Sequence, residues 1–296
     1  MASTITRRVA LAGTVAAAGR LHAAGAPVVE THVHLFDPER VPYAPDAPYR
    51  PAAYPLEAHV KLVEAAGLAH SVIVHPEPYQ DDHRYLEYCF AHEPRAGYFK
   101  GVCLFDPLRE DTPRRVRSLE ERWPKRIVAM RIHETRMEPE AAGPIRNRDM
   151  HDPRMLACWK SLAAMGLGIQ MHFIPGQAAN IRALAERAPE ATVILDHMGR
   201  PGDGTEKEYA EVLRLAELPR VYLKYSGWDM YKGDLKTLTR RIYDSFGPRR
   251  MLWGMLGATI GEHRKQAARL EELLAFASAA DRAQIAGGNA MKLWFG

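Results

Sequence analysis

The sequence has few cysteines and no long run of apolar residues. Three cysteines, Cys89, Cys103 and Cys158, stand far apart among 296 residues, which argues against a disulfide framework or a zinc knuckle. No uninterrupted apolar stretch reaches the roughly 18 residues that a membrane-spanning helix requires. The formal net charge is only +4 and no long basic run occurs, so a basic footprint for nucleic acid is missing. We therefore expect neither a membrane nor a nucleic acid as a partner.

Acidic residues are missing from the first 26 residues, which differ from the rest of the chain. Arg7 and Arg8 precede an alanine-rich apolar stretch, and small residues follow up to Ala26. A basic start, a short apolar middle and a small-residue end are the parts of an export signal, and the paired arginines resemble the twin-arginine type. The sequence thus predicts a periplasmic protein with residues 27–296 as its mature domain. A cytoplasmic protein with an N-terminal extension is the alternative.

From residue 28 onward, short β-branched segments alternate with amphipathic helical segments. The predicted strands are Val28–Leu35, Ser71–Glu77, Tyr98–Asp106, Ile127–Glu134, Leu167–Phe173, Thr192–His197, Val221–Ser226 and Met251–Leu256. The predicted helices are Leu56–Ala66, Asp82–His92, Pro113–Trp123, Pro153–Met165, Gln177–Arg187, Glu206–Glu217, Leu235–Phe246 and Glu262–Ala279. The strands recur about every thirty residues, the length of one strand–helix unit. Eight such units predict an α/β protein made of a single closed (β/α)8 barrel.

A proline-rich insertion follows the first predicted strand. Residues 38 to 55 contain six prolines and three tyrosines, and such a composition makes a loop stiff. The insertion either forms one wall of a pocket or is a surface excursion without a role.

Histidines are concentrated where the predicted strands end. Six of them fall at or near these ends: His32, His34, His75, His133, His172 and His197. The carboxyl ends of the strands of such a barrel meet at one mouth, where barrel enzymes place their active sites. His32 and His34 lie two residues apart and therefore share a face of the strand, with Val33 facing the other way. Two neighbouring neutral imidazoles can chelate one divalent ion.

Four segments carry recognisable motifs: Thr31 to Pro38, Asp196 to Pro201, Trp253-Gly254 and Gly288 to Trp294. In that order they resemble the opening motif, the sixth-strand motif, the start of the eighth-strand motif and the closing segment of the amidohydrolase-related family. The similarity is to the branch that contains sugar lactonases, pyrone dicarboxylate lactonase and metal-dependent decarboxylases. The resemblance extends from Val28 to the end of the chain.

The resemblance implies a barrel-mouth metal site and a residue that activates water. The implied cofactor is a divalent metal, with zinc as the first candidate because it accepts three neutral ligands and an open position. The implied metal ligands are His32, His34 and His172. His197 matches the histidine that acts on the attacking water or on the substrate carbonyl.

The resemblance also implies a group that binds the substrate. Arg131 matches the arginine that holds a substrate carboxylate or polarises a carbonyl, and its planar fork suits paired hydrogen bonds to a carboxylate. An ion pair of Arg131 with Glu77 or Glu134 is the structural alternative. Further candidates for contact with the substrate, or for orienting the ligands, are His75, His133, Tyr225 and Trp253, with core packing as the alternative for the two aromatic residues.

The eighth-strand motif departs from the family's pattern, in which Trp-Gly is followed by Ser-Asp. Met255 and Leu256 follow here, so leucine stands where the aspartate would bind the metal or take a proton from water. Leucine can do neither. His197 is one candidate for the missing base, and the others are carboxylates near strand ends: Glu77, Asp106, Glu134 and Glu262.

Three functions are compatible with these motifs. The first is a metal-dependent hydrolase, a lactonase that opens a small carboxylated or sugar-derived ring. The second is a decarboxylase or lyase that holds an acidic substrate with Arg131 and the histidines and needs no metal. The third is an inactive relative that binds a small molecule. A small molecule is the expected partner in each case, and a homodimer is the default assembly.

Overall fold

Eight parallel strands form one sheet in the order of the chain. The computed structural model describes residues 25–140, 143–255 and 257–296, and the structural statements below refer to these ranges. The strands are β1 Val29–Val33, β2 His70–Val74, β3 Phe99–Leu104, β4 Ile127–Glu134, β5 Gly168–Phe173, β6 Val193–Leu195, β7 Val221–Tyr225 and β8 Met251–Trp253. The helices are α1 Leu56–Ala66, α2 Arg84–Ala91, α3 Thr112–Arg122, α4 Pro153–Ala164, α5 Ala178–Arg187, α6 Glu206–Arg214, α7 Leu235–Phe246, α8 Ile260–Leu273 and α9 Ala279–Ala283. One helix follows each strand before α9, so the predicted (β/α)8 barrel is confirmed.

Two of the sequence predictions concern residues outside the described ranges. The predicted export signal covers residues 1–26, and residues 1–24 lie outside the described ranges. Leu256 of the eighth-strand motif also lies outside them. Among the described residues, no helix has both the length and the apolar character needed to cross a membrane.

The barrel interior has an apolar floor. Its inward-facing strand residues form a separate hydrophobic cluster with two residues of the closing segment: Val29, Val72, Val74, Val102, Ala129, Ile194, Leu252, Ala290 and Trp294. Outward-facing residues of the same strands pack against the helices in the main core, because successive residues on a strand face opposite sides. Asn289 fixes the closing segment beneath β8 by donating to the carbonyl oxygens of Pro248 and Met251 at 2.7 and 2.8 Å.

A bulge in β1 points its two histidines into the barrel. Glu30 pairs with Ser71 and Val33 pairs with Ile73, so two residues of β1 stand opposite one residue of β2. The extra residue reverses the alternation of faces. Val29 faces inward below the bulge, whereas above it Val33 packs outward. The bulge therefore places both imidazoles on the inward face.

Side chains close the seam between β8 and β1, where no backbone ladder joins the described residues. The Thr31 hydroxyl donates to the carbonyl oxygen of Trp253 at 2.7 Å. The Glu30 carboxylate accepts hydrogen bonds from the backbone N–H groups of Met255 and His32 at 2.8 and 2.7 Å. These bonds hold the histidine-bearing part of β1 against β8.

We expect Thr31→Val to lower the free energy of unfolding by about 1–3 kcal/mol, because the buried carbonyl of Trp253 loses its donor without a change in side-chain shape. Urea unfolding followed by circular dichroism measures the loss. Thr237→Val removes a hydroxyl from the exposed first turn of α7, where it donates to the exposed Asp234; it is the control, with an expected loss of only about 0.5 kcal/mol for a hydrogen bond in water. Equal losses in the two variants would show that the hydroxyl does not stabilise the seam.

Candidate active site

A buried carboxylate, Asp196, lies at the centre of the polar layer above the floor. It follows β6 and is fully buried. Its Oδ2 accepts hydrogen bonds from Arg131 Nε of β4 at 2.8 Å and from Gln170 Nε2 of β5 at 3.2 Å. Its Oδ1 lies 3.4 Å from His32 Nδ1 of β1 and 4.0 Å from Lys224 Nζ of β7. Side chains from five strands of the barrel thus meet at one point.

The charges around Asp196 keep its carboxylate ionised. Burial by itself raises the pKa of this carboxyl, but Arg131, His32 and Lys224 outweigh burial and hold the pKa well below its usual range. Burial also lowers the pKa of the Lys224 ammonium to about 7, since a low-dielectric interior disfavours charge. Lys224 donates to the carbonyl oxygen of Thr31 at 2.7 Å and lies 3.3 Å from His32 Nδ1. The fully buried lysine is therefore held between β1 and Asp196.

The imidazoles of His32 and His34 face each other, with their Nε2 atoms 3.3 Å apart. His34 Nδ1 lies 2.7 Å from the carbonyl oxygen of Val74. A carbonyl oxygen only accepts, so Nδ1 of His34 carries the proton and its Nε2 has a lone pair. Burial, and after it the charge of Arg131, lower the pKa of His34 to about 3. This imidazole is therefore neutral at pH 7.

The donor set around these two histidines fits a divalent metal. Two nitrogen ligands of tetrahedral zinc lie about 3.4 Å apart at ordinary bond lengths, and the two Nε2 atoms are 3.3 Å apart. Asp196 Oδ1 is a buried acceptor without a hydrogen bond to any described residue, and it can accept the His32 Nδ1 proton when Nε2 binds a metal. His32, Asp196 and His197 also offer ligand atoms within 4.8 Å of one another.

His172, the third metal ligand that the resemblance implies, faces a cation. Its Nε2 lies 3.3 Å from Arg200 Nη1, and its Nδ1 lies 3.1 Å from His133 Nδ1. A guanidinium only donates, so Nε2 of His172 is the acceptor and Nδ1 donates to His133. The ring centroid of His172 is 5.6 Å from that of His197. His172 thus joins the histidine cluster, but a metal at its Nε2 would have to displace Arg200.

A left-handed stretch of backbone brings His197 into the site. The φ angles of residues 197 to 200 are 50°, 58°, 71° and 53°, and only Gly199 adopts such angles without strain. Each other residue costs about 1–2 kcal/mol. The turn places the consecutive residues Asp196 and His197 on the same side of the backbone, since both contact His32. Asp196 Oδ1 lies 3.4 Å from His32 Nδ1, and the ring centroids of His197 and His32 are 4.5 Å apart. Strain at such a position is typical of functional sites.

His197 is neutral and has one ring nitrogen free to accept a proton. Its Nδ1 lies 3.1 Å from Ser226 Oγ, and its Nε2 makes no hydrogen bond with a described residue. Burial lowers the pKa of His197 to about 4, and Asp196 opposes part of that shift. The ring is therefore neutral at pH 7, and the nearby carboxylate stabilises the imidazolium that forms on protonation.

Arg131 is anchored at one end only. Its Nε binds Asp196, whereas neither Nη atom makes a hydrogen bond with a described residue. Burial is the main cause that lowers the pKa values of His34, His133 and His172, and the positive charge of Arg131 is the next. The guanidinium therefore lies among the mouth histidines. The expected ion-pair alternatives, Glu77 and Glu134, are not its partners. The two Nη groups remain for a ligand.

Two aromatic residues proposed for substrate contact face the helices. The Tyr225 hydroxyl bonds with Thr239 of α7, and Trp253 packs in the outer core with its ring centroid 6.4 Å from that of His263 of α8. Strand alternation explains both positions, because Lys224 before Tyr225 and Leu252 before Trp253 point inward. The structure does not bring Tyr225 or Trp253 to the Asp196 cluster.

The other two substrate-contact candidates are histidines with different surroundings. His75 Nε2 lies 2.9 Å from the carbonyl oxygen of Gln80, and its ring stacks on His83 with a centroid distance of 4.3 Å. His75 thus lies to one side of the cluster. His133 contacts His172 within the cluster, and its Nδ1 lies 3.4 Å from Glu77. Among the carboxylates considered as a replacement base, Glu77 reaches a mouth histidine.

The remaining three of those carboxylates serve the local structure. Glu262 caps the N-terminus of α8, while Asp106 and Glu134 both accept hydrogen bonds from Arg148. Burial raises the pKa of Glu134 to about 8. None of the three contacts the Asp196 cluster among the described residues.

Two charged residues of the cluster received no role from the sequence motifs alone. Asp196 lies in the sixth-strand motif, in which only His197 received a role, and Lys224 lies in a predicted strand between Leu223 and Tyr225. A lysine in a strand that is buried on both faces is rare unless it is paired. That mismatch was the available signal for a buried charge cluster.

The proline-rich insertion lines a cavity beside the histidines. Phe36 and Tyr54 form an antiparallel bridge that anchors the ends of the insertion. Tyr54 then lines a cavity of about 480 Å³ together with Glu30, His32 and His34. The insertion therefore forms part of one wall.

Comparison with known proteins places the chain among hydrolases. The family model described as Amidohydrolase matches residues 29–296. A 4-sulfomuconolactone hydrolase from Hydrogenophaga intermedia is 27% identical over 238 residues, which are 76% of this chain and 72% of the relative.

Solved structures share the fold at lower identity. A probable 2-pyrone-4,6-dicarboxylic acid hydrolase from Acinetobacter baumannii, with citric acid bound, has a TM-score of 0.74 at 16% identity and covers 91% of this chain and 99% of its own. An amidohydrolase from Burkholderia multivorans with bound zinc has a TM-score of 0.69 at 20% identity, with coverages of 91% and 99%. These likenesses support the barrel architecture.

We expect His197 to make the protein less stable in acid. Its pKa is lowered from 6.5 to about 4, so the unfolded chain binds a proton that the folded protein excludes. This stability is complete above about pH 6.5 and is lost as the pH falls towards 4. Between pH 7 and pH 5, the parent should lose about 2 kcal/mol more of its unfolding free energy than His197→Asn. Chemical unfolding at both pH values measures the difference.

The control for this comparison is His151→Asn, which replaces an exposed histidine and should follow the parent. Equal losses in the parent and in His197→Asn would mean that the imidazole of His197 titrates alike in the folded and unfolded states.

Proposed function

The chain belongs to the amidohydrolase family, and on this premise we propose that it is a lactonase that opens a small lactone ring carrying an anionic group. One observation carries the proposal: the free Nη groups of Arg131 lie in the same histidine cluster as the neutral imidazole of His197. One group can hold an anion while the other accepts a proton from water. The relative named as a 4-sulfomuconolactone hydrolase supports a lactone as the substrate.

Arg131 would bind the anionic substituent of the lactone. Its Nε is fixed by Asp196 at 2.8 Å, so the guanidinium plane has a set orientation before the substrate enters. Two parallel N–H groups then match the two oxygen atoms of a carboxylate, or two oxygen atoms of a sulfonate. A preorganised donor of this kind loses little entropy on binding.

His197 would activate the water that attacks the lactone carbonyl. Nε2 takes a proton from water as the oxygen–carbon bond forms, and Asp196 stabilises the resulting imidazolium. The imidazolium then returns the proton to the ring oxygen as the ring carbon–oxygen bond breaks. The product is an open chain with a hydroxyl group and a new carboxylic acid, which releases its proton to solvent at pH 7.

A divalent metal, with zinc as the first candidate, completes the proposed site. His32 and His34 would hold it through their Nε2 atoms, with His172 as the third ligand in place of its contact with Arg200. When bound, the metal supplies a Lewis acid that polarises the carbonyl and lowers the pKa of bound water. Burial keeps His34 neutral at pH 7, as a metal ligand must be.

We expect the metal-supplemented protein to hydrolyse 4-sulfomuconolactone or 2-pyrone-4,6-dicarboxylate. The kcat/KM for the latter should be about 100-fold above that for 2-pyrone, which keeps the ring and lacks the charges, because two charge-assisted hydrogen bonds separate these substrates. Arg131→Lys keeps the charge but loses the fork, and it should raise KM for the anionic lactone about 10-fold or more while changing kcat less. Initial rates with a pH-stat measure both parameters.

The control for the arginine variant is Arg154→Lys, at an exposed arginine on α4, which should leave the kinetics unchanged. If no anionic lactone is hydrolysed, or if Arg131→Lys leaves KM for the anionic substrate at the parent value, the proposal is wrong.

A further inference from the structure

The proposed reaction leaves Lys224 without a role. The side chain is fully buried, and its Nζ lies 3.3 Å from His32 Nδ1 and 4.0 Å from Asp196 Oδ1. Lysine is almost never fully buried unless it is paired. Because Lys224 contacts His32, a candidate metal ligand, it can influence which nitrogen of that imidazole carries the proton.

Hydrogen-bond polarity links Lys224 to Val74 through the two imidazoles. His34 Nδ1 donates to the Val74 carbonyl, so His34 Nε2 is an acceptor. Lys224 is a donor, and a hydrogen bond from Nζ makes His32 Nδ1 the acceptor. His32 Nε2 then carries the proton and donates to His34 Nε2 across 3.3 Å. In this arrangement neither Nε2 atom has a lone pair free for a metal.

Asp196 stabilises the opposite tautomer of His32. Its Oδ1 lies 3.4 Å from His32 Nδ1 and has no hydrogen bond with a described residue. When Nδ1 carries the proton and donates to this oxygen, His32 Nε2 has a lone pair beside that of His34 Nε2. Both atoms can then bind one metal ion, in the carboxylate–histidine–metal arrangement common in proteins.

We propose that Lys224 and Asp196 compete for Nδ1 of His32, and that this competition sets the metal affinity of the site. Lys224 is a positioning residue that favours the metal-free tautomer, and Asp196 favours the metal-binding tautomer. The inference rests on the proposed function in one respect only, the assignment of His32 and His34 as metal ligands. In this arrangement Lys224 lowers the metal affinity of His32 and His34 below the value that the same imidazoles, with Asp196 as the partner of His32, would have without the lysine.

The first test is zinc binding by Lys224→Met, which removes the donor and keeps the length of the side chain. Equilibrium dialysis of the metal-free full-length protein against zinc should give a dissociation constant at least about 10-fold lower than that of the parent, the effect of one hydrogen bond. Lys236→Met, at an exposed lysine of α7, is the matched control and should bind zinc like the parent. Equal or weaker binding by Lys224→Met overturns the proposal.

The second test is the tautomer of His32 in the metal-free parent. Nitrogen-15 spectra of histidine-labelled protein, with the His32 signals assigned by their loss in His32→Gln, should show Nε2 protonated and Nδ1 as an acceptor. Zinc should reverse this pattern. A parent with Nδ1 of His32 protonated before zinc is added overturns the proposal, and this measurement decides alone if Lys224→Met does not fold. Zinc binding and tautomer as expected, without hydrolysis of any lactone, would refute the proposed function and leave this inference standing.

Discussion

The ion pair between Asp196 and Arg131 is the interaction on which the rest of the site depends. A carboxylate inside a barrel is too costly unless donors surround it. Arg131, Gln170, His32 and Lys224 surround Asp196 from four other strands. Compensating one buried charge therefore fixes the relative positions of β1, β4, β5, β6 and β7 at the mouth. It also fixes which end of the guanidinium is available to a ligand.

The site is built against local backbone preference, and the barrel below supports it. The bulge in β1 and the left-handed turn that begins at His197 both interrupt regular structure. Both have the same effect: the bulge turns His32 and His34 inward, and the turn does the same for His197, where regular strand alternation would send these imidazoles outward. The apolar floor beneath Asp196, closed by Trp294, keeps water away and so strengthens every charge interaction above it. The stability of the apolar floor thus offsets the backbone strain at the mouth.

Sequence patterns predicted the barrel well because periodicity and helix stops act within one strand–helix unit. The bounds of Leu56–Ala66, Ile127–Glu134 and Leu235–Phe246 agree between prediction and structure. Contacts between distant strands depend instead on register and on bulges, which no local pattern encodes. For that reason the shared face of the β1 histidines was predicted, whereas the bulge that turns this face inward was not. Tyr225, the last residue of β7, likewise faces α7 and not the mouth, because its neighbour Lys224 points inward.

A double-mutant cycle between Asp196 and Arg131 measures how strongly the two side chains are coupled in the folded protein. It compares the free energies of unfolding of the parent, Asp196→Asn, Arg131→Met and the double variant at pH 7. We expect a coupling free energy of about 2 kcal/mol or more, because each single change leaves one buried polar group uncompensated. A coupling free energy of zero within error would mean that the carboxylate does not hold the arginine, and the site would need another organising contact.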